Sequence, residues 1–167
     1  GNGRLGRLLM PLILGHWNRL DLPLLYISEY FEDHRSDYID ALHAVSQRGA
    51  WKEWVLFTLR AIEVQATDAL LRGQQLIHLR EGLRQDYLAG RSTLILQIVD
   101  MLFERPAITI RSAASRAGVT YPSANKAILT LVTDGVLEEA TGNQRNRVFI
   151  APQVLAAMTM RSTSTTE

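Results

Sequence analysis

Apolar residues recur at Leu5, Leu8, Leu9, Leu12 and Ile13. This is the three-and-four spacing of one helix face, and it predicts a buried or half-buried helix from Arg4 to about Asn18. Pro11 lies inside it, removes one backbone donor and is expected to kink it. Asp21-Leu22-Pro23 marks a turn. Ser28 fits the N-cap of a second helix, with Glu29 in its first turn. Tyr30, Phe31, His34, Tyr38, Leu42 and Val45 lie on or near one face of that helix, which runs to about Gln47 and ends at Gly49. A long helical stretch follows from Trp51 to about Leu88. It is apolar at Trp54, Val55, Leu59, Ile62, Ala66, Ala69, Leu70, Leu76, Ile77 and Leu83, and Gly73 and Gly82 are its weak points. This half reads as all-α.

The pattern changes after Ala89-Gly90-Arg91-Ser92, the best domain boundary. Thr93 to Glu104 predicts a short helix stopped by Pro106, and Ile108 to Ala117 a second one rich in small residues. Gly118-Val119-Thr120 is a tight turn. Tyr121 to Thr133 predicts a third helix, with Ala127, Ile128, Leu131 and Val132 facing inward. Val136 to Glu139 and Arg147 to Ile150 read as two strands around the loop Thr141-Gly142-Asn143-Gln144. Three short helices followed by a two-stranded wing form the winged helix-turn-helix pattern. The expected organisation is mainly α: a helical domain over residues 1–90, a winged helix domain over 91–160, and a Ser/Thr-rich disordered tail over 161–167.

Composition narrows the classes. The chain has 167 residues, 47% of them hydrophobic and 21% charged, which suits a globular protein of one or two small domains. A net charge of +1 excludes a strongly basic nucleic-acid coat, so any DNA contact must come from a local patch. With no cysteine there is neither a disulfide nor a thiolate metal site, which fits a cytoplasmic protein. Arg4 and Arg7 before Leu8 to Leu14 superficially resemble a secretory leader. No small-residue cleavage site follows, and the run is far shorter than the roughly 20 residues a membrane helix needs. No membrane association is expected.

The chain opens Gly1-Asn2-Gly3-Arg4-Leu5-Gly6-Arg7, directly before the first helix. Glycines there let successive backbone N–H groups converge on an anion, and the helix N-terminus adds partial positive charge. Arg4 and Arg7, three apart, leave the same face. Two cations in a first turn oppose the helix dipole, a conflict that a bound phosphate would relieve. From spacing alone, a flexible turn with two solvated arginines is the equal alternative.

This opening resembles the second half of the Fic motif, His-Pro-Phe-x-Asp/Glu-Gly-Asn-Gly-Arg-x-x-Arg. The resemblance continues through Leu8-Leu9-Met10-Pro11-Leu12 and Leu24-Leu25-Tyr26-Ile27-Ser28-Glu29-Tyr30, and the C-terminal half is similar to the winged helix domain some Fic proteins append. It implies transfer of AMP from ATP, with Mg²⁺, to a Ser, Thr or Tyr hydroxyl of a target protein. By the resemblance, Gly1, Asn2 and Gly3 hold phosphate oxygens where charge develops, and Arg4 and Arg7 grip the outer phosphates. Some relatives are restrained by a glutamate that pairs with the second arginine, here Arg7; no inhibitory segment is assignable in this chain. The motif's His, the general base, and its acidic residue, the magnesium ligand, would lie ahead of Gly1. The chain read as a truncated Fic core is therefore expected to be inactive alone, within a parent that is an adenylyltransferase. His16, His34, His43 and His78 lie in helical contexts and are expected to be structural or solvated.

In the C-terminal half, Ser123, Asn125 and Lys126 on the third helix point away from the expected core. Asn suits adenine edges, and Lys suits guanine or phosphate. Arg145 and Arg147 are placed for backbone phosphates. Asp134, Glu138 and Glu139 weigh against duplex DNA and leave a protein-interaction role equally open. The competing function is a non-enzymatic DNA-binding regulator with a vestigial Fic segment. Trp17, Trp51 and Trp54 are expected to be core or interface anchors. Glu32-Asp33-His34-Arg35 reads as a solvated helix face. The long helix packs on its own domain or against a second copy in a homodimer; the sequence does not choose.

Overall fold

The computed structural model describes residues 3–19, 25–88, 90, 92–143 and 145–160, with Arg4 described by its backbone alone. Over these residues the protein is mainly helical, with a small three-stranded antiparallel sheet. It divides into two compact units, 1–71 and 72–167. The expected disordered tail lies outside the described residues. Of the residues around the expected boundary, 89 and 91 also lie outside them.

The first unit is built from helices α1 (Gly3–His16), α2 (Ile27–Asp33), α3 (Arg35–Arg48) and the first part of α4 (Trp51–Leu88). Its core is small. Leu25, Ile27, Phe31 and Ala61 are buried, with Met10, Leu14, Tyr30, Tyr38, Phe57, Ile62 and Ala66 partly buried around them. Phe31 is the hub of an aromatic cluster, 4.9 Å from Tyr38, 5.6 Å from Phe57 and 6.1 Å from Trp54 between ring centroids. These are the separations at which ring edges and faces attract.

Three expectations change here. Helix α2 begins at Ile27 behind Tyr26, with no side-chain cap, so Ser28 lies inside the helix rather than capping it. The single helix expected from Ser28 to Gln47 is two. His34 leaves helical backbone space (φ −114°, ψ 45°), and its backbone N–H donates to the Tyr30 carbonyl. The His34 ring stacks on Tyr30 at 4.0 Å, with Nδ1 3.0 Å from the same carbonyl oxygen, so the turn is closed by one side chain. Helix α1 directs Met10 and Leu14 toward the core, whereas Leu5, Leu8, Leu9, Leu12 and Ile13 are exposed. The periodic stripe is real, but it faces away from this core.

Gly49 ends α3 in the left-handed region (φ 66°), where glycine carries no Cβ penalty, and its N–H reaches the Val45 carbonyl. Neither Gly73 nor Gly82 interrupts α4.

The second unit takes its first residues from the end of α4. Leu83 is buried there, and Leu76, Leu79 and Tyr87 pack against the core. Then follow α5 (Thr93–Glu104), β1 (Ala107–Thr109), α6 (Ile110–Ala117), α7 (Tyr121–Thr133), β2 (Glu138–Glu139), β3 (Val148–Ile150) and α8 (Pro152–Thr159). The sheet order is β1-β3-β2. Ile108 pairs with Phe149, and Glu139 pairs with Phe149 from the other side. Ile98, Val99, Leu102, Ile128, Leu131, Leu137, Phe149 and Val154 are almost wholly buried in one core.

Two elements differ from expectation. The second short helix starts at Ile110, not Ile108, because Ala107–Thr109 pairs with β3 as a third strand. Helix α8 was not expected; Pro152 opens it in the first turn, where its missing N–H costs nothing.

Arg80 and Arg84 clasp Asp100 of α5 at 2.8 and 2.5 Å, and the Tyr87 hydroxyl donates to Asp134 at 2.7 Å. Burial, helped by the hydrogen bond to the Asp134 carboxylate, pushes the Tyr87 phenol above its ordinary pKa. At Asp100 partial burial works upward. The hydrogen bonds and charges of Arg84 and Arg80 outweigh it and hold the carboxyl below its ordinary value. No helix among the described residues is long and apolar enough to cross a membrane.

Candidate functional site

Two regions carry the residues singled out by sequence. The first is the opening of α1. Gly1 and Asn2 lie outside the described residues, as does the Arg4 side chain. Gly3 begins the helix, so Arg4 and Arg7 fall in its first two turns, and no acidic residue shares the first turn. A Cβ on Gly3 would sit 3.9 Å from the Tyr38 hydroxyl, an ordinary contact, and one on Gly6 would meet nothing within 4 Å. Packing among the described residues therefore does not demand glycine at either position. Arg7 is half-buried and forms no ion pair with a described residue.

The second region is the end of the second unit where α6, α7 and the β3 side of the loop meet. A cleft of about 530 Å³ is lined by Thr109, Ile110, Arg111, Tyr121, Arg145, Asn146 and Arg147. The local folding that builds it is explicit. Thr109 ends β1 and caps α6, accepting from the Ser112 N–H at 3.1 Å, while the Ser112 hydroxyl oxygen accepts from the Thr109 N–H at 3.1 Å. This reciprocal capping box puts Arg111 at the start of α6. Gly118 turns the chain in the left-handed region (φ 65°), and Thr120 caps α7, which starts at Tyr121. Asn146 also takes a positive φ of 52°, a conformation asparagine tolerates, between Arg145 and Arg147.

The three arginines are not equivalent. Arg147 makes three contacts. Its Nη1 is 3.5 Å from Glu139 Oε2, its Nη2 donates to Asn125 Oδ1 at 3.3 Å, and its Cζ stands 5.4 Å from the Phe149 ring centre. Arg111 and Arg145 are exposed and form no ion pair among the described residues. Glu139 thus offsets one of three positive charges and leaves two for a ligand.

Beside the cleft, a shallower groove of about 380 Å³ runs along α7 past Asn125, Lys126, Leu129, Thr130, Thr133 and Asp134. Lys126 is exposed and Asn125 half-buried. Ser123 belongs to the cap: its Oγ is 2.9 Å from Thr120 Oγ1, and its N–H donates to the same oxygen.

The structure thus brings Asn125, Arg145 and Arg147 together around one corner, with Lys126 on the groove side. Sequence reasoning missed Thr109, Arg111, Tyr121 and Asn146. Arg111 had a signal available, a cation in the first turn of a helix, the same dipole conflict that drew attention to Arg4 and Arg7. No group of three metal-ligating side chains occurs among the described residues. No protein-family model matches the chain.

Proposed function

We propose that this chain supplies the phosphate-gripping end of a Fic-type adenylyl-transfer site. In a protein that also carries the motif's His-Pro-Phe-x-Asp/Glu half, the activity is transfer of AMP from ATP to a hydroxyl of a target protein. The observation that carries this reading is the opening Gly1-Asn2-Gly3-Arg4-Leu5-Gly6-Arg7 set on a helix that starts at Gly3. Helical N–H groups at that end have no intrahelical acceptors, and they favour anionic oxygens. Arg7, half-buried and without an ion-pair partner among the described residues, suits an outer phosphate of ATP. Gly1, Asn2, Gly3 and Arg4 would hold the remaining phosphate oxygens.

The test places the first half of the motif ahead of Gly1 and follows label from ATP marked at the α-phosphate into protein. Arg7→Ala is expected to lower labelling about 10- to 100-fold, the worth of a charge-assisted hydrogen bond. Undiminished labelling in Arg7→Ala would remove the arginine from the site.

The arginine cleft favours a second activity in the other unit. Three short helices with a three-stranded antiparallel sheet support a winged-helix reading of this unit, and Arg111 and Arg145 suit phosphodiester groups. We read this unit as a duplex-DNA module. Affinity measured by fluorescence anisotropy should fall with salt, and the double change Arg111→Gln with Arg145→Gln should lower the log–log slope by about 2. A slope that stays the same would separate the cleft from DNA.

A further inference from the structure

We propose that Arg147 is a positioning residue. It turns the Asn125 amide nitrogen toward the ligand, so that α7 offers a duplex hydrogen-bond donors and selects guanine over adenine. This inference rests on the duplex-DNA reading of the second unit.

The guanidinium of Arg147 has no acceptor atoms, so it can only satisfy the oxygen of the Asn125 amide. The structure shows that contact, Nη2 to Oδ1 at 3.3 Å. The brace is anchored at its other end by both strands that flank the loop. Glu139 of β2 holds Nη1, and Phe149 of β3, its cross-strand partner, underlies the guanidinium. Arg147 is therefore fixed from three directions, and the amide it holds is oriented with it.

Orientation decides what Asn125 can read. An asparagine recognises adenine by using both ends of its amide: the oxygen accepts from N6 and the nitrogen donates to N7. One lone pair of Oδ1 is taken up by a cation, which weakens that oxygen toward a second donor, and the amide end with no partner among the described residues is the donor Nδ2. The next side chain, Lys126, is exposed and offers donors only. Guanine presents two acceptors, N7 and O6, in the major groove, whereas adenine presents N7 beside an N6 donor. Two neighbouring donors match the first edge and confront the second. Affinity and selectivity are then carried by different arginines. Arg111 and Arg145, exposed and without an ion pair among the described residues, neutralise phosphates; Arg147, already paired, sets the reading amide.

The full chain tests this. Selection from a randomised duplex pool is expected to enrich guanine at the reading position, with about tenfold preference over adenine in a matched pair of duplexes. Arg147→Met keeps an unbranched stem over Phe149 and removes the brace. It should collapse that preference while leaving the salt slope as in the parent. Asn125→Ala, which leaves Arg147 and both strands in place, should lose the same preference and guards against a loosened loop in the first variant. Enrichment of adenine by the parent chain, or no base preference at all, overturns the inference while the module still binds DNA. So does an Arg147→Met chain that keeps its preference but lowers the slope by about 1, since Arg147 would then be a phosphate contact. No duplex binding at low salt by the parent chain overturns the DNA reading and this inference with it.

Discussion

Thr109 serves three purposes with few atoms. Its backbone pairs with Val148 in the sheet, its hydroxyl caps α6, and its side chain lines the arginine cleft. Thr109→Ala removes the cap and should cost about 1 kcal/mol, whereas Thr109→Ser should recover most of it. Thermal or denaturant unfolding of the two variants checks this, and equal losses would show that the methyl group, not the hydroxyl, matters. The residue was legible only in part. A β-branched residue followed by Ile110 reads equally well as helix interior or as strand end, and the pairing with β3 that decides between them is non-local. The same limit hid the role of Arg147. Its neighbours Asn125 and Glu139 are distant in sequence, and nothing in the spacing reveals that one guanidinium touches both.

At the scale of elements, the end of α4 is fastened to α5 by Asp100. Because the folded carboxyl titrates below its ordinary value near 4, the unfolded chain takes up the proton first as pH falls. The clasp therefore stabilises the fold above pH 4 and is lost as pH drops through the folded pKa. Asp100→Asn should cost about 1–2 kcal/mol near neutrality, after allowance for solvent screening of a partly exposed group. The gap to the parent should close below about pH 4 in denaturant titrations. A gap independent of pH would mean that the charge of Asp100 contributes nothing. Helix α4 itself was legible, both ends included, because a sustained apolar period and a left-handed Gly49 are local signals. The break at His34 was not, since the residue that closes it does so with its ring, a feature hydrophobic periodicity cannot see. Helix α8 carries only a weak local signal, Pro152 followed by Val154 and Leu155, with no side-chain cap ahead of it.

The molecule as a whole follows the sequence most faithfully where residues are buried on several sides. In the second unit Ile128 and Leu131, picked out by period, are fully enclosed, as is Phe149 between two neighbouring strands. In the first unit period gave the helices but not what they face, because a stripe of leucines marks a side to be covered without saying by what. Candidate chemistry was legible as residue types, with Arg145, Arg147 and Asn125 all meeting at one corner, while its division of labour depended on contacts made only in the folded chain. The bared leucines of α1 have a consequence for handling. Leu5, Leu8 and Leu12 are each more than half exposed, and Trp17 lies just beyond them. Water ordered against such an oily flank is readily surrendered, so kosmotropic salts should precipitate this polypeptide early and a greasy chromatography resin should retain it strongly.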